Sequence, residues 1–454
     1  MRNLKMATLG TLLTGVLAGV SPGGFASDHG DTPLLVSNAR HDARLTDVLI
    51  LQRGAMLSFM IDSNPTIQQQ TTYRFATDIT FKSYIDNHTQ PLFTDPILTP
   101  ILGGTFTDPS QIREDMVLTY TFDANNTMSV KIGSPVTELG VSGFYPERVA
   151  SGALVYVLGS GFVPQSRNAP QNTWVRIGEK DVEAFVLSSN MLVFVAHESH
   201  HGGRITLNNA ASSVTTASPI SVLKTEGERR NTVTQRVLGM IRNNDPAIAA
   251  IAAGDFPSLA MIGLPVQTFS GMRDDMFIRG PQKGRNIAVV AAEMPISLFT
   301  TGRQKTLIGW GTANVEGVAG TPFAAGHEEI AGRSFGSMFS PEQSVINTLP
   351  PSQHVSGAAF LGVVPALGRT IAPDVIIFDT TRPQSFPNGR ELNDDIINLI
   401  GPSNTNVNVF VVAEQRLCDA SGDLRDCPTV NDVPHSATFP YLGLPHDHPP
   451  TTIP

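Results

Sequence analysis

Between Asp47 and Phe122 the apolar residues come in short runs: DVLILQRGAMLSFMID, TTYRFATDITFKSYIDN and MVLTYTFD. Each run is β-branched or aromatic and is broken by Gly, Asn, Asp or Pro, so the pattern predicts strands joined by tight turns. From Ser134 to Leu223 the runs shorten and crowd. About seven strands in fewer than a hundred residues is the spacing of a small β-sandwich. After Leu223 the period changes. In GERRNTVTQRVLGMIRNNDP the apolar Val233, Val237, Leu238 and Ile241 recur three and four residues apart, which predicts a helix that ends at Asp245-Pro246. PAIAAIAAGDF predicts a second, short helix stopped by Gly254. Strand text returns in NIAVVAAEMP, TLIGWGT, PDVIIFD and VNVFVVAEQ. The expected class is mainly β with a few helices.

The chain has 454 residues, enough for two or three domains, and 41% of them are hydrophobic. Charged residues are only 16% with no long basic run, which removes the electrostatic footprint of a nucleic-acid binder. At the start, Arg2 and Lys5 precede an apolar stretch from Met6 to Val20 and then Gly24-Phe25-Ala26. That is the layout of a secretory signal cleaved after Ala26, and no later run has the length of a bilayer crossing. The expectation is a secreted or periplasmic protein with no membrane span after signal removal. In that oxidising setting Cys418 and Cys427, the two cysteines of the sequence, are expected to close a short disulfide loop.

Several residues carry a resemblance. Phe144-Tyr145-Pro146, Ser151-Gly152 before Leu154-Val155-Tyr156-Val157, Gly159-Ser160-Gly161-Phe162, Val175-Arg176-Ile177-Gly178 and Gly203-Arg204-Ile205-Thr206-Leu207 resemble the IPT/TIG immunoglobulin-like module. Outside it, three stretches resemble a bacterial exported family known as domain of unknown function 4331. They are Ser27-Asp28-His29-Gly30-Asp31-Thr32-Pro33 with Leu45 to Val48, Gly271 to Phe277 with Asn286 to Val290 and Glu293 to Pro295, and Pro373 to Val375 with Phe386 to Ile397 and Phe439 to Leu442. The second stretch departs from that family, with Met276-Phe277-Ile278 where paired phenylalanines are usual. The resemblance implies a signal peptide over 1–26 and a discontinuous β-rich domain from 27–133 and 224–454. An immunoglobulin-like sandwich over 134–223 is inserted in it.

Two motifs suggest catalysis. His197-Glu198-Ser199-His200-His201 satisfies the H-E-x-x-H pattern of zinc proteases, which works only on a helix, where both histidines face one way. In the layout of the sandwich the motif lies on a turn between two strands, so it reads as a loop. Gly332-Arg333-Ser334-Phe335-Gly336 matches G-x-S-x-G, but no buried strand precedes it and Pro341 follows closely, against a nucleophile elbow. His327 and His354 are possible bases with nothing to place them near Ser334.

Acidic stretches offer a third chemistry. Asp274, Asp275, Asp394 and Asp395 read either as salt bridges and caps or as an oxygen-rich cation site of the kind calcium prefers. Asp28, His29 and Asp31 could ligate a transition metal or form a surface turn. The tail Pro445-His446-Asp447-His448-Pro449 reads as a flexible Pro-rich end with weak metal affinity. Asn388-Gly389 predicts a turn and Glu391 to Ile400 a short helix with early acids at its positive end. Arg390 has Asp374 or Asp274 as candidate partners. These readings favour an exported, non-enzymatic binding or surface-structural protein. Its partner would be an extracellular protein or polysaccharide, with the sandwich as interaction or spacer module. The alternative is an extracytoplasmic hydrolase using Ser334 or a metal held by the acidic stretches.

Overall fold

A computed structural model describes residues 32–67, 72–96, 99–166, 172–224, 231–276, 285–317, 328–333, 347–356, 373–396 and 430–446. The fold is mainly β, as expected. Strands β1 (Leu45–Arg53) and β2 (Met56–Ile67) form an antiparallel hairpin turned at Gly54. They join β17 (Asn286–Pro295) and β16 (Gln267–Asp274) in a four-stranded sheet ordered β1-β2-β17-β16. A second large sheet holds β3 (Ile79–Asp86), β4 (Met116–Phe122), β5 (Met128–Gly133), β18 (Thr306–Val315) and β19 (Glu329–Ala331). Its order is β19-β18-β3-β4-β5, and β20 (Ile376–Asp379) also pairs with β18.

These two sheets pack face to face. Val48, Ile50, Phe59, Ile61, Ala288 and Val290 of the first sheet meet Phe81, Ile85, Leu118, Tyr120 and Ala313 of the second in one core. Every residue of β17 is buried, because the opposite face of its sheet is covered too. There Leu49, Leu51, Met60, Ile287, Val289 and Ala291 are closed off by Leu392, Tyr441 and Leu442. Chain segments near the end of the sequence thus seal a sheet begun near its start.

The stretch 134–223 forms a second, smaller sandwich. One sheet is ordered β10-β9-β13-β14, from Lys180–Val182, Trp174–Ile177, Arg204–Asn208 and Ser213–Pro219. The other is β11-β12-β8-β6, from Ala184–Val186, Met191–Val195, Leu154–Ser160 and Gly140–Tyr145. Alternation divides β8 cleanly. Val155 and Val157 point into the sandwich's own core with Phe144, Leu192 and Phe194. Leu154, Tyr156 and Leu158 point the other way, with Met191 and Val193, into the core of the large domain.

The covering layer is helical. Thr232–Arg242 is a helix capped by the Asn231 side chain, and Pro246–Ala252 is one capped by Asp245. Both lie where the sequence predicts them, and they place Val237 and Ile251 in the large core. Tyr156 donates its hydroxyl hydrogen to the Ile262 carbonyl at 2.5 Å.

Backbone hydrogen bonds join the two sandwiches directly. Ala217 N–H donates to Gly302 O at 2.6 Å, Ser218 N–H to Thr301 O at 3.1 Å, and Gly302 N–H to Ser142 O at 3.1 Å. Gly143 and Gly302 permit this approach: a Cβ at Gly143 would lie 2.2 Å from Ser297 O, and one at Gly302 2.4 Å from Ser142 O. The small sandwich is bonded and packed onto the large one along a continuous seam.

Two local expectations change. Asn388-Gly389 is a turn as expected, with Gly389 at φ 67°. From Glu391 to Asp395, however, the chain turns, and the first helical residue of the expected helix is Ile396, with 397–400 outside the described residues. The Asp394 carboxylate accepts from Ser385 Oγ and from the N–H groups of Phe386 and Glu391 at 2.7–2.9 Å, which holds the loop closed on itself. The Arg390 guanidinium donates to Asp47 at the start of β1, a partner the sequence did not suggest.

Candidate functional site

Two places in the fold gather polar chemistry. The first lies at the end of β16. Asp274 ends that edge strand and stands opposite Asn286 of β17. The segment 430–446 crosses the strand end here. Asp274 N–H donates to Gly443 O at 3.2 Å, and a Cβ at Gly443 would sit 3.3 Å from that of Asp274. Asn286 grips His446 at two points: its side chain accepts from the His446 N–H at 2.7 Å and donates to the His446 carbonyl at 3.1 Å. The imidazole is thereby brought over Asp274, with Nε2 2.7 Å from Asp274 Oδ1 and 3.7 Å from Asp432 Oδ2. Asn431 donates to Asp274 Oδ2 at 2.6 Å.

The Asp274 side chain is 0% exposed, while those of Asp432 and His446 are each 22% exposed. Burial pushes the Asp274 carboxyl up to about 6, against the opposing pull of the Asn431 hydrogen bond, with the Asp432 charge adding to the rise and His446 lowering it. One ligand atom from each of Asp274, Asp432 and His446 lies within 4.8 Å of the others.

The sequence singled out Asp274 and His446 separately and gave Asp432 no role. The tail residue His446 is anchored at both backbone and side chain, in contrast to the flexible end expected for it. Asp275 faces another neighbourhood, with its N–H donating to Arg285 O at 3.0 Å and its charge acting on the Arg285 guanidinium. Asp394 serves the loop described above, and neither it nor Asp395 belongs to the Asp274 group. Of the four aspartates that read either as salt bridges and caps or as a cation site, Asp274 is grouped here with Asp432 and His446, while Asp394 caps its own loop. Asp28, His29, Asp31, Cys418, Cys427, Ser334 and His327 lie outside the described residues.

HESHH occupies the connection from β12 to β13. Glu198–His200 is a single 3-10 turn with His197 as its N-cap. The imidazoles serve the backbone: His200 Nδ1 accepts from His197 N–H at 3.0 Å and His201 Nδ1 from Val222 N–H at 3.1 Å. His354 is likewise structural, with Nε2 2.8 Å from Leu349 O and Nδ1 accepting from Asp374 N–H at 3.1 Å.

The second place is a cleft of about 250 Å³ in the seam between the sandwiches. Asn87, Arg113 and Asp115 line it from the large domain, and Glu138, Ser142 and Ser160 from the small one. Asp86 organises its floor by accepting from the N–H groups of His88, Thr89 and Arg113 at 2.7, 2.8 and 3.0 Å. Asp115 accepts from Asn87 N–H at 3.0 Å and pairs with Arg113 at 2.6 Å. Burial, then the Asp86 charge, pushes the Asp115 carboxyl up to about 7, against the pull of Arg113. Asn87 reaches across to Phe299 O at 3.1 Å. At the rim the Arg303 guanidinium lies against the His88 imidazole. His88 is shifted down, first by burial and then by Arg113 and Arg303. Among the described residues no helix is long and apolar enough to cross a membrane.

No family model matches the sequence, and no curated protein matches it. Solved structures similar to the chain include the gamma-CGTase of an alkalophilic Bacillus clarkii, at 11% identity and a TM-score of 0.17. That likeness covers 62% of this chain and 37% of the other, so it spans little more than a third of that protein's length.

Proposed function

We propose that the protein is an exported, non-enzymatic binding protein whose ligand enters the seam cleft between its two sandwiches. The stretches resembling domain of unknown function 4331 and the IPT/TIG module support an extracytoplasmic setting and an interaction role for the small sandwich. The observation that carries the reading is the cleft itself: a concave polar space at a domain junction, where ligand sites concentrate. Its guanidinium groups, Arg113 and Arg303, stand among the carboxyl groups of Asp115 and Glu138. Asn87, Ser142 and Ser160 add neutral donors and acceptors. Such a mixed lining of donors and acceptors suits a neutral ligand rich in hydroxyl groups, the chemistry of a polysaccharide. A protein partner would need a wider surface than this cleft provides.

The test is calorimetric titration of the purified chain with neutral oligosaccharides. Arg303→Ala and Ser160→Ala, on opposite walls, are expected to weaken binding about tenfold each while leaving thermal unfolding near wild type. Binding that ignores both substitutions would place the ligand elsewhere and overturn the reading.

A further inference from the structure

We propose that Asp274, Asp432 and His446 form a binding site for one divalent transition-metal ion of the zinc class, separate from the seam cleft. The donor set is one imidazole nitrogen with two carboxylate oxygens, and zinc takes such three-residue sets with a water in the remaining position. Calcium prefers six to eight oxygens and has no use for the imidazole.

Spacing fits the same ion. Ligands about 2.0–2.2 Å from a tetrahedral zinc stand roughly 3.3–3.6 Å from one another. His446 Nε2 and Asp432 Oδ2 are already 3.7 Å apart. The closer contact of 2.7 Å between His446 Nε2 and Asp274 Oδ1 has to open by less than about 1 Å, and an ion replaces the hydrogen bond lost. The three donors come from two stretches far apart in the sequence, the end of β16 and the segment 430–446 that crosses it, which supplies both Asp432 and His446.

The surroundings resemble the outer support of a metal ligand. Asn286 fixes the main chain of His446 from both sides, and Asn431 holds the far oxygen of Asp274. Asp274 is wholly buried, whereas Asp432 and His446 keep 22% exposure, so the group has a dry inner wall and a wet outer side. A cation entering from that side offsets the cost of burying the Asp274 carboxylate.

The competing explanation is that His446 and Asp274 are only an ion pair tying down the segment 430–446. The experiment uses the full chain, stripped with chelator, dialysed, and titrated calorimetrically with zinc chloride and separately with calcium chloride. The expected result is one zinc bound per chain, more tightly than calcium, with a melting temperature that rises with zinc concentration. Asp432→Asn removes a ligand charge at the surface, and His446→Ala removes the imidazole; each is expected to weaken zinc binding at least tenfold. The double variant His197→Ala/His201→Ala, which alters the other histidine cluster, is expected to bind zinc like wild type. Should His446→Ala fail to fold, Asp432→Asn decides alone. The proposal is overturned if folded wild-type chain binds no stoichiometric zinc, or if folded Asp432→Asn binds it as tightly as wild type.

Discussion

Arg390 and Asp47 stand 343 positions apart in the sequence and form an ion pair with side chains only 7% and 2% exposed. The pair fastens the loop after β20 to the start of β1, on the first sheet of the large domain. Removing Arg390 leaves the Asp47 carboxylate buried without this ion pair, at a cost of about 3–5 kcal/mol. Arg390→Met is therefore expected to lower stability by that order in urea unfolding. Adding Asp47→Leu to the same chain should recover most of the loss, because an apolar pair of similar volume is often neutral. Strictly additive single effects in this cycle would show that the two side chains do not communicate.

Tyr441 supplies a second long-range fastening. Its hydroxyl donates to Glu293 Oε1 at 2.6 Å, where Ser58 Oγ also donates at 2.7 Å, and Gln267 reaches the other oxygen at 3.2 Å. Glu293 is buried in β17, so each donor matters to its charge. Tyr441→Phe keeps the ring among Leu392 and Leu442 and deletes only the donor. The expected loss is about 1–3 kcal/mol, read from the midpoint of denaturant unfolding. An unchanged midpoint would mean that Ser58 and Gln267 satisfy the carboxylate without it.

The seam makes a prediction about the small sandwich. A fragment spanning 134–223 carries its own core, around Phe144, Val155, Val157 and Phe194, and is expected to unfold cooperatively. Cut from the large domain, it also exposes Leu154, Tyr156, Leu158, Met191 and Val193 on one face. Contiguous apolar faces of that kind drive association. Size-exclusion chromatography should show the fragment self-associating, and Leu158→Lys with Met191→Lys should return it to a monomer. A monomeric unmodified fragment would count against the burial of this face in the intact chain.

How much of this was legible beforehand follows from the range of each interaction. NIAVVAAEMP reads as strand, apolar except for Asn286 and Glu293, and is a strand buried on both faces, because local pattern and tertiary burial largely agree there. The helix over Thr232–Arg242 announces itself through its apolar period and its Asn cap. The start expected at Glu391 is late, because acidic residues after a turn look like a helix start, whereas Asp394 spends its carboxylate on closing the loop and the first helical residue is Ile396. The Asp274 and His446 pairing was illegible for a different reason. The partners are 172 residues apart, and His446 sits in a Pro-rich segment with no periodicity, where only the grip of Asn286 sets its position. Asp432 carried no local signal at all. The seam cleft is equally non-local, since its walls belong to two sandwiches that read as separate units in the sequence.

The Asp86 and Asp115 pair beneath that cleft predicts a pH dependence whose sign can be worked out. Asp115 is raised from its ordinary 3.8 to about 7, first by burial and then by the nearby Asp86 charge. Over that interval the folded chain holds a proton that the unfolded chain has released. The stabilising contribution is therefore complete below the unfolded pKa and is lost as pH rises through about 7. The groups facing the pair are Arg113, His88, Glu138 and Arg303. His88 acts with the opposite sign: its depressed pKa stabilises the fold above its ordinary 6.5 and ceases to do so as pH falls. His200, pushed down to about 4, behaves the same way. Over roughly pH 6.5 to 8 the unfolded chain is still releasing protons from its histidines, which adds a rising contribution, so the carboxyl is isolated by comparing wild type with Asp115→Asn, in which the histidine contributions cancel. Asp115→Asn keeps an acceptor for the Asn87 N–H but cannot ionise. The melting temperature of the variant minus that of wild type is expected to increase with pH across that window, and the variant should melt above wild type at the alkaline end. A difference that stays level over the same window would mean that Asp115 is already ionised in the folded protein, paired with Arg113 as an ordinary salt bridge.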